Sequence, residues 1–339
     1  VESFQNVEVA PSPVIPFEDD DSPMVYEKDM AIYGQDAFYP ANPVMISEPT
    51  SIRGVDVVLL GITPFQYNPV TKELLVLRDI EVEVEFEGGN GQFGDTRYRS
   101  RWWDPIMADA LLNYSSLPEV DYNWMHMDGK ASGDGCEYLI ITPTGTDYVT
   151  WANTIADFRN KQGILTQVVT LDEVGGNSTY NIESYINDAY NNWTIPPSAV
   201  LLLGDYGTNI ESHVISPIYN SYCASDNIYA DVNGDHLPEM AFARITANNA
   251  SQLETMITKF IDYETNPPTN PDFYNNPITA IGWQTERWFQ LCGEVVGGYW
   301  KNNLNKEPVR INDIYSGSPG STWSTAQNTS TVVNYFGPN

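Results

Sequence analysis

The second half of the chain alternates short apolar runs with helical patterns, and this alternation limits the fold more than any other feature. The clearest run, 199–203, reads Ala-Val-Leu-Leu-Leu and leads into Gly204 and Asp205. Further strand patterns occupy 138–141, 167–169, 278–281 and 309–311. Strands that alternate with helices indicate parallel strands joined by crossover connections. We therefore predict an α/β fold with a doubly wound, mostly parallel sheet over residues 135–339.

The helical patterns between these runs have a period near 3.6. Tyr148, Trp151, Ile155 and Phe158 recur at spacings of three and four, which places them on one helix face, and Gly163 follows as a C′ glycine. A similar stripe runs over 253–261, and a helical pattern around 286–302 lies between the last two strands.

The first part of the chain is predicted to be a β-rich domain over residues 1–117. Strand patterns lie at 55–60 and 74–77, and 81–86 alternates strictly between acidic and apolar residues, as a half-buried strand does. A short helix is expected at 106–112. Residues 118–134 are predicted to form a linker, because the second half of this segment, from Met125 onward, is rich in Gly and Asp.

The charge of the chain restricts its partners. Sixteen basic and 45 acidic residues give a net charge of 16 − 45 = −29. Nucleic-acid binding requires Lys and Arg against phosphates, so no nucleic-acid partner is expected. No apolar run reaches the roughly 18 residues that a membrane span needs, so we expect no membrane-spanning segment in this sequence. Bound cations would relieve the self-repulsion of an acidic chain, although a solvated acidic surface explains the composition equally well.

The segment 231–239, Asp-Val-Asn-Gly-Asp-His-Leu-Pro-Glu, concentrates oxygen donors around a glycine turn. Calcium takes six to eight oxygen ligands, and the spacing differs from that of an EF-hand. The alternative is an acidic turn in which Asx side chains bond to the backbone. Asp205 ends a buried strand, where α/β sheets place functional groups, or it caps the loop that follows.

The cysteines and histidines do not form a recognisable site. Cys136, Cys223 and Cys292 are widely spaced, odd in number and without a C-x-x-C pair, which favours small buried residues over reactive thiols. We expect Cys136 at the wrong end of its strand for catalysis, Cys223 in a loop and Cys292 on a helix. The histidines (His126, His213 and His236) show no metal-pair spacing. Motifs of serine hydrolases, P-loop NTPases and dinucleotide-binding domains are absent from the sequence.

Several segments resemble a known family. Around the clearest strand, the chain resembles the catalytic domain of the gingipain family of cysteine peptidases, peptidase family C25, at 201–205, 225–231, 234–239 and 243–244. Upstream, the segments 33–35, 38–40 and 64–72 resemble the gingipain prodomain. The two resemblances stand in the order that a proenzyme of this family has.

The resemblance implies a caspase-like catalytic domain in two subdomains, of which residues 135–339 would form the first. The family's Cys–His dyad lies in the second, and 331–337 resembles the segment before the catalytic His, so the chain is expected to stop before the dyad. The function implied is the N-terminal part of a secreted or cell-surface, bacterial-type cysteine endopeptidase zymogen. Its partners would be a protein or peptide substrate and the C-terminal remainder of the catalytic domain. The alternative is a non-enzymatic, calcium-stabilised secreted module with the same fold.

The resemblance also implies site residues. Calcium would be held by the carboxylates of Asp205, Asp235 and Glu239, with backbone oxygens from Val232 and Leu237.

Two further residues follow from the proenzyme interpretation. Glu286 is the nearest match to an acid beside the family's catalytic His, and Lys130 is the only Lys or Arg between Arg101 and Arg159. Exposed linkers are preferred sites of proteolysis, so Lys130 is a processing candidate as well as an ordinary linker lysine. The β-rich domain is expected to pack beside the strand ends that carry Asp205 and Glu286.

Overall fold

The computed structural model describes residues 1–13, 25–85, 87–88, 91–123, 135–281 and 288–312. The chain forms two compact units, Val1–Met256 and Ile257–Asn339. We refer to residues 1–123 as the N-terminal region.

The N-terminal region is built from short antiparallel strand pairs. Its elements are β1 (Glu2–Phe4), α1 (Met30–Tyr33), β2 (Val44–Ile46), β3 (Thr50–Ile52), β4 (Val55–Val57), β5 (Leu60–Ile62), β6 (Phe65–Asn68), β7 (Glu73–Val76) and α2 (Asp104–Ala110). Strand β7 pairs with β1 and β6, β2 pairs with β5, and β3 pairs with β4. The β-rich character predicted from the sequence is therefore confirmed.

Two strand predictions in this region are wrong. The run 55–60 is divided between β4 and β5, because its two parts pair with different strands. Glu81–Glu85 forms no strand despite its strict alternation. A strand needs a hydrogen-bonding neighbour, and among the described residues none pairs with this segment.

The rest of the first unit contains the central sheet. Its elements are β8 (Tyr138–Thr142), α3 (Thr146–Lys161), β9 (Thr166–Thr170), α4 (Leu171–Val174), α5 (Thr179–Asn192), β10 (Ala199–Leu203), β11 (Asp205–Tyr206), β12 (His213–Val214), β13 (Ile218–Tyr219), β14 (Cys223–Ala224), α6 (Asn227–Ala230), β15 (Ala241–Ile245) and α7 (Ala250–Thr265), the last of which continues into the second unit. The strand order is β15-β10-β8-β9, with all neighbours parallel. We call the end where these strands begin the amino end of the sheet, and the opposite end the carboxyl end.

Helices cover both faces of this sheet. Leu139 and Ile141 of β8 belong to a buried cluster with Ile182 and Ile186 of α5. Ile140 points to the other face, because successive strand residues alternate, and α3 packs against β8 and β9 outside that cluster. Each fully buried Leu or Ile contributes about 1.5–3 kcal/mol. The predicted doubly wound, mostly parallel α/β fold is confirmed.

The second unit continues with α8 (Pro271–Asn275), β16 (Ile278–Ile281), α9 (Trp288–Leu304) and β17 (Val309–Asn312). Strands β16 and β17 are parallel, and α9, which connects them, packs against β16. This is the strand-helix-strand pattern expected from the sequence. In the described part of the chain, no helix combines the length and apolarity that crossing a membrane requires.

Candidate functional site

The predicted calcium ligands lie at opposite ends of the central sheet. Strand β10 is in register with β15, so that Ala199 pairs with Ala241 and Leu203 with Ile245. Asp205 follows β10 at the carboxyl end, whereas Glu239 precedes β15 at the amino end. Four residue steps at about 3.3 Å each separate the two ends by roughly 13 Å of strand. The structure therefore does not bring Asp205 together with Asp235 and Glu239, the residues predicted to share one ion with it.

The acidic loop 231–239 is folded around the side chain of Asp231. Its Oδ1 accepts hydrogen bonds from the backbone nitrogens of Gly234 at 2.8 Å and Asp235 at 3.1 Å, and its Oδ2 accepts one from His236 at 3.0 Å. Gly234 and His236 have φ of 79° and 72°, the left-handed conformation that Gly adopts at little cost. Asp231 thus bonds to the backbone, as the alternative interpretation of this loop expects.

Asp235 and Glu239 approach each other within this loop. The Nδ2 of Asn233 donates to Glu239 Oε1 at 2.9 Å and lies 3.4 Å from Asp235 Oδ2. The backbone nitrogen of Val232 donates to Glu239 Oε2 at 2.7 Å, and that of Leu237 donates to Asp235 Oδ1 at 2.9 Å. The loop therefore brings together four of the five predicted ligand residues.

Glu239 is the residue of this loop whose pKa is raised most. Its side chain is buried, with 3% relative exposure of the residue. Burial raises its pKa to about 7, and the charges of Asp235 and Asp231 act in the same direction. Burial also favours a higher pKa at Asp235, but hydrogen bonds from Thr50, Leu237 and Asn233 hold that pKa below its usual value. The loop thus concentrates negative charge where water has little access.

The donor set suits a hard cation only partly. Within the described ranges, no three His, Cys, Asp or Glu side chains lie close enough together to hold a metal. A cation at this loop would therefore be bound by Asp235 and Glu239 and by amide and backbone oxygens. Such oxygen ligands are compatible with calcium and unsuited to soft metals.

At the carboxyl end, Asp205 makes the contacts of a loop cap. Its Oδ1 accepts from the backbone nitrogen of Tyr206 and its Oδ2 from Asn248 Nδ2, both at 2.8 Å. Burial raises the pKa of the neighbouring Tyr148, and the charge of Asp205 contributes to the rise.

Arg244 organises the loops at the same end. It forms a bidentate ion pair with Asp226, with both N–O distances 2.7 Å, and it donates to the carbonyl oxygens of Gly204 at 3.0 Å and Val214 at 2.8 Å. Its side chain retains 9% exposure. The sequence marked Arg244 only as part of a resembling segment, because an isolated arginine does not reveal which carbonyl groups it will reach.

The cysteines are not positioned for catalysis in the described structure. Cys136 is completely buried just before β8, at the amino end, where burial raises its pKa to about 12. Cys292 lies exposed on α9, as predicted, whereas Cys223 lies exposed on the hairpin strand β14 and not in a loop. Among the described residues, no hydrogen bond joins a cysteine to a histidine. Glu286 and Lys130 lie outside the described residues.

The N-terminal region contacts the central sheet through an ion pair that the sequence did not predict. Arg101 Nε and Nη2 donate to the two carboxylate oxygens of Glu137, each at 2.7 Å, and Nη2 also donates to the carbonyl oxygen of Gly163 at 2.6 Å. Glu137 is 3% exposed and directly precedes β8. Its Oε1 accepts a further bond from Trp102 Nε1 at 2.9 Å.

A second arginine contacts the same end of the sheet. Arg53, in the turn between β3 and β4, is 1% exposed and donates to the carbonyl oxygens of Pro197 at 2.9 Å and Glu239 at 3.3 Å. Thr50 donates to the carboxylate of Asp235. These contacts lie at the amino end, whereas the N-terminal region is expected from the sequence beside the strand ends that carry Asp205 and Glu286. For Asp205 that expectation is wrong, because the partners precede β8, β10 and β15, and Glu286 lies outside the described residues.

Comparison with known proteins identifies relatives of both parts of the chain. A family model described as peptidase family C25 matches residues 131–336, and the model of the C25 propeptide matches residues 1–116. Gingipain R2 of Porphyromonas gingivalis (strain ATCC BAA-308 / W83) is 26% identical over 255 residues, which cover 74% of this chain and 32% of that protein. Lys-gingipain HG66 of P. gingivalis is 25% identical over 302 residues, covering 88% of this chain and 17% of that protein.

Among solved structures, the complex of P. gingivalis RgpB pro- and mature domains aligns with a TM-score of 0.43 and 20% identity, over 55% of this chain and 43% of that one. The chain spans about a third or less of the length of these gingipain relatives.

Proposed function

Because the chain belongs to peptidase family C25 and carries the family's propeptide ahead of its peptidase region, we propose that it is the N-terminal part of a cysteine endopeptidase zymogen. The observation that carries this proposal is the folding of the propeptide region onto the first sheet of the peptidase region within one unit. The nucleophilic Cys and the His base would lie after residue 339. They would cleave a protein or peptide substrate through an acyl-enzyme.

The described cysteines support this division of the chain. The thiol of Cys136 is protonated at neutral pH and inaccessible, and a thiolate is the nucleophile that such chemistry needs. Cys223 and Cys292 are exposed but have no hydrogen bond to a histidine in the described structure. Residues 1–339 alone should therefore be inactive. The relatives are bacterial proteins, and we propose a secreted or cell-surface location for this one too.

The test is peptide hydrolysis by the full gene product and by residues 1–339, each assayed with and without iodoacetamide. Hydrolysis that requires the longer chain and a free thiol would support the proposal, and the variants Cys223→Ser and Cys292→Ser should retain it. Thiol-dependent hydrolysis by residues 1–339, abolished by one of these two substitutions, would contradict the proposal. A full-length protein that is folded, calcium-stabilised and inactive would favour the alternative of a non-enzymatic secreted module.

We further propose that the acidic loop binds calcium through Asp235, Glu239 and the backbone oxygens of Val232 and Leu237, without Asp205. The buried, negatively charged environment of Glu239 supports this, because a cation there would neutralise charge that burial makes unfavourable. Calcium would act as a structural ion that fixes the loop ahead of β15.

Calorimetric titration of residues 1–339 with calcium at pH 8 tests this binding. Asp205→Asn should bind as the unmodified chain does, whereas Glu239→Gln should bind at least about tenfold more weakly, since a carboxylate is a far better calcium ligand than an amide. Equal affinity of the Glu239→Gln variant would refute the assignment, and loss of binding in Asp205→Asn would restore Asp205 as a ligand.

A further inference from the structure

The acidic loop 231–239 contacts one short hairpin of the N-terminal region, made by β3 and β4. Thr50 of this hairpin donates to Asp235 Oδ2, and Arg53 donates to the carbonyl oxygen of Glu239 at 3.3 Å. Asp235 and Glu239 provide the two carboxylates of the proposed calcium site. We propose that Thr50 is a positioning residue of this site, through which the N-terminal region raises the affinity of the acidic loop for calcium. The inference rests on the calcium binding proposed above for the same loop.

The hairpin holds Thr50 at a set position. The turn that joins β3 to β4 contains only Arg53 and Gly54, with φ of 49° and 71°. This left-handed conformation is typical of two-residue turns that match the twist of paired strands. A Cβ on Gly54 would lie 2.1 Å from the backbone oxygen of Asp95, so only glycine fits there. A turn of defined length fixes the register of a hairpin, and the register fixes where Thr50 stands.

Arg53 anchors the hairpin beside the acidic loop. It is 1% exposed and also donates to the carbonyl oxygen of Pro197 at 2.9 Å. The carboxylate of Glu239 accepts its hydrogen bonds from within the loop, from the backbone of Val232 and the side chain of Asn233. Arg53 thus holds the hairpin through backbone groups and leaves the side chain of Glu239 to the loop.

The carboxylate of Asp235 is held from two sides. Its Oδ1 accepts from the backbone nitrogen of Leu237 at 2.9 Å, inside the loop, and its Oδ2 accepts from Thr50. The Nδ2 of Asn233 lies 3.4 Å from the same Oδ2, but its shorter bond, of 2.9 Å, goes to Glu239 Oε1. Removal of the Thr50 hydroxyl would therefore leave Oδ2 with the long contact to Asn233, and the carboxylate could turn more freely.

Hydrogen bonds of this kind strengthen metal sites. A carboxylate that binds a metal is usually hydrogen-bonded itself, and loss of its partner typically weakens metal binding by about 10–100-fold. Thr50 donates through its O–H and would orient Asp235 without contacting the ion. Orientation of the carboxylate before the ion arrives lowers the entropic cost of binding. We therefore expect the calcium affinity of the loop to depend on a hydroxyl 185 positions away in sequence.

The coupling acts in both directions. If contact with the hairpin favours calcium binding, calcium favours that contact by the same free energy. Calcium should therefore slow the local opening of β3 and β4, although the ligands proposed for it all belong to the acidic loop.

Calorimetric titration of residues 1–339 with calcium at pH 8 tests the role of Thr50. Thr50→Val removes the hydroxyl but keeps the shape of the side chain, and it should raise the calcium dissociation constant about tenfold. Thr50→Ser keeps the hydroxyl and should bind as the unmodified chain does. Thr71→Val is the matched control, because it makes the same change in the exposed turn between β6 and β7. If Thr50→Val does not fold, Thr50→Ala serves instead, since it removes the hydroxyl without placing a methyl group beside Asp235.

Hydrogen exchange with and without calcium adds a measurement that a packing role of Thr50 would not affect. Calcium should slow exchange at residues 50–57 in the unmodified chain and in Thr71→Val, and much less in Thr50→Val. Equal calcium affinity of Thr50→Val and the unmodified chain would overturn the inference and leave the calcium site in place. Binding by Thr50→Ser as weak as that by Thr50→Val would also overturn it. An unmodified chain that binds no calcium would overturn both the inference and the site.

Discussion

The two ends of the central sheet are made by the same four strands but are stabilised differently. At the amino end, buried polar groups of the sheet region are paired with residues of the N-terminal region, such as Glu137 with Arg101 and the backbone of Glu239 with Arg53. At the carboxyl end, all the partners belong to residues 204–248: Asp205 bonds to Tyr206 and Asn248, and Arg244 pairs with Asp226 and the carbonyl oxygen of Gly204. The amino end thus holds a separate region of the chain, whereas the carboxyl end organises its own loops.

The difference shows that the two ends of a parallel sheet can have separate roles. Parallel strands place all their beginnings on one side and all their endings on the other, so a region that docks at one side leaves the other free. In α/β sheets the carboxyl ends form the usual crevice for ligands. The propeptide region therefore docks at the end opposite to the one where this crevice lies.

We expect the largest loss of stability from a substitution at the amino end of the sheet. Arg101→Ala should lower the free energy of unfolding by about 3 kcal/mol, because it leaves the buried carboxylate of Glu137 without its counter-ion. Urea unfolding at pH 7 measures this. Arg78→Ala is the control, because Arg78 lies in the same region in an ion pair whose side chains are 65% and 47% exposed, and it should change stability by less than about 0.5 kcal/mol. Similar losses in the two variants would mean that the amino end is not stabilised by its buried charges.

We expect the second-largest loss of stability from a substitution at the carboxyl end of the sheet. Arg244→Ala should cost about 2 kcal/mol, since Asp226 is 23% exposed and keeps some contact with water after its partner is lost. Hydrogen exchange should become faster in residues 204–226 and stay unchanged at residues 135–139. Faster exchange at both ends would show that the two ends are not independent.

The third effect concerns pH. The pKa of Glu239 is about 7 in the folded chain, above its ordinary value of 4.5, so the folded state holds this proton more strongly than the unfolded state. The stabilising contribution of the protonated group is present below pH 4.5 and is lost as the pH rises toward 7.

In a calcium-free buffer, the melting temperature should therefore fall between pH 5 and pH 8 by about 3 °C more in the unmodified chain than in Glu239→Gln. Thermal scans of the two proteins across this range measure the difference. Parallel pH profiles would contradict the raised pKa.

We expect the smallest loss of stability from a substitution of Asp205, and a second substitution at the carboxyl end provides a comparison. Asp205→Asn should cost about 0.5 kcal/mol, because Asp205 is only partly buried and an Asn side chain still accepts the bond from the backbone nitrogen of Tyr206. Asp226→Asn at the same end loses the charge that pairs with Arg244 and should cost more. A larger loss in Asp205→Asn would indicate a role for Asp205 beyond capping.

Most of the strands and helices of the peptidase region could be predicted from the sequence. The runs at 138–141 and 199–203 and the stripe from Tyr148 to Phe158 have local periodicities, and most of the apolar residues of the two runs, with Tyr148 and Ile155 of the stripe, are buried in the structure. Prediction failed at 81–85, where the alternation of a strand is present but no neighbouring strand exists in the described structure. Periodicity describes one strand and carries no information about its partner.

The candidate site also separates what the local sequence determines from what the tertiary structure determines. The sequence alone determined that residues 231–239 form a polar, oxygen-rich turn, because Asx side chains and glycine act on their immediate neighbours. Only the tertiary structure decided that Glu239 lies away from Asp205 and that Arg101 lies on Glu137. Strand register and the docking of distant regions depend on the packing of the whole sheet, and the local sequence around Arg101 does not reveal that its partner is a buried carboxylate.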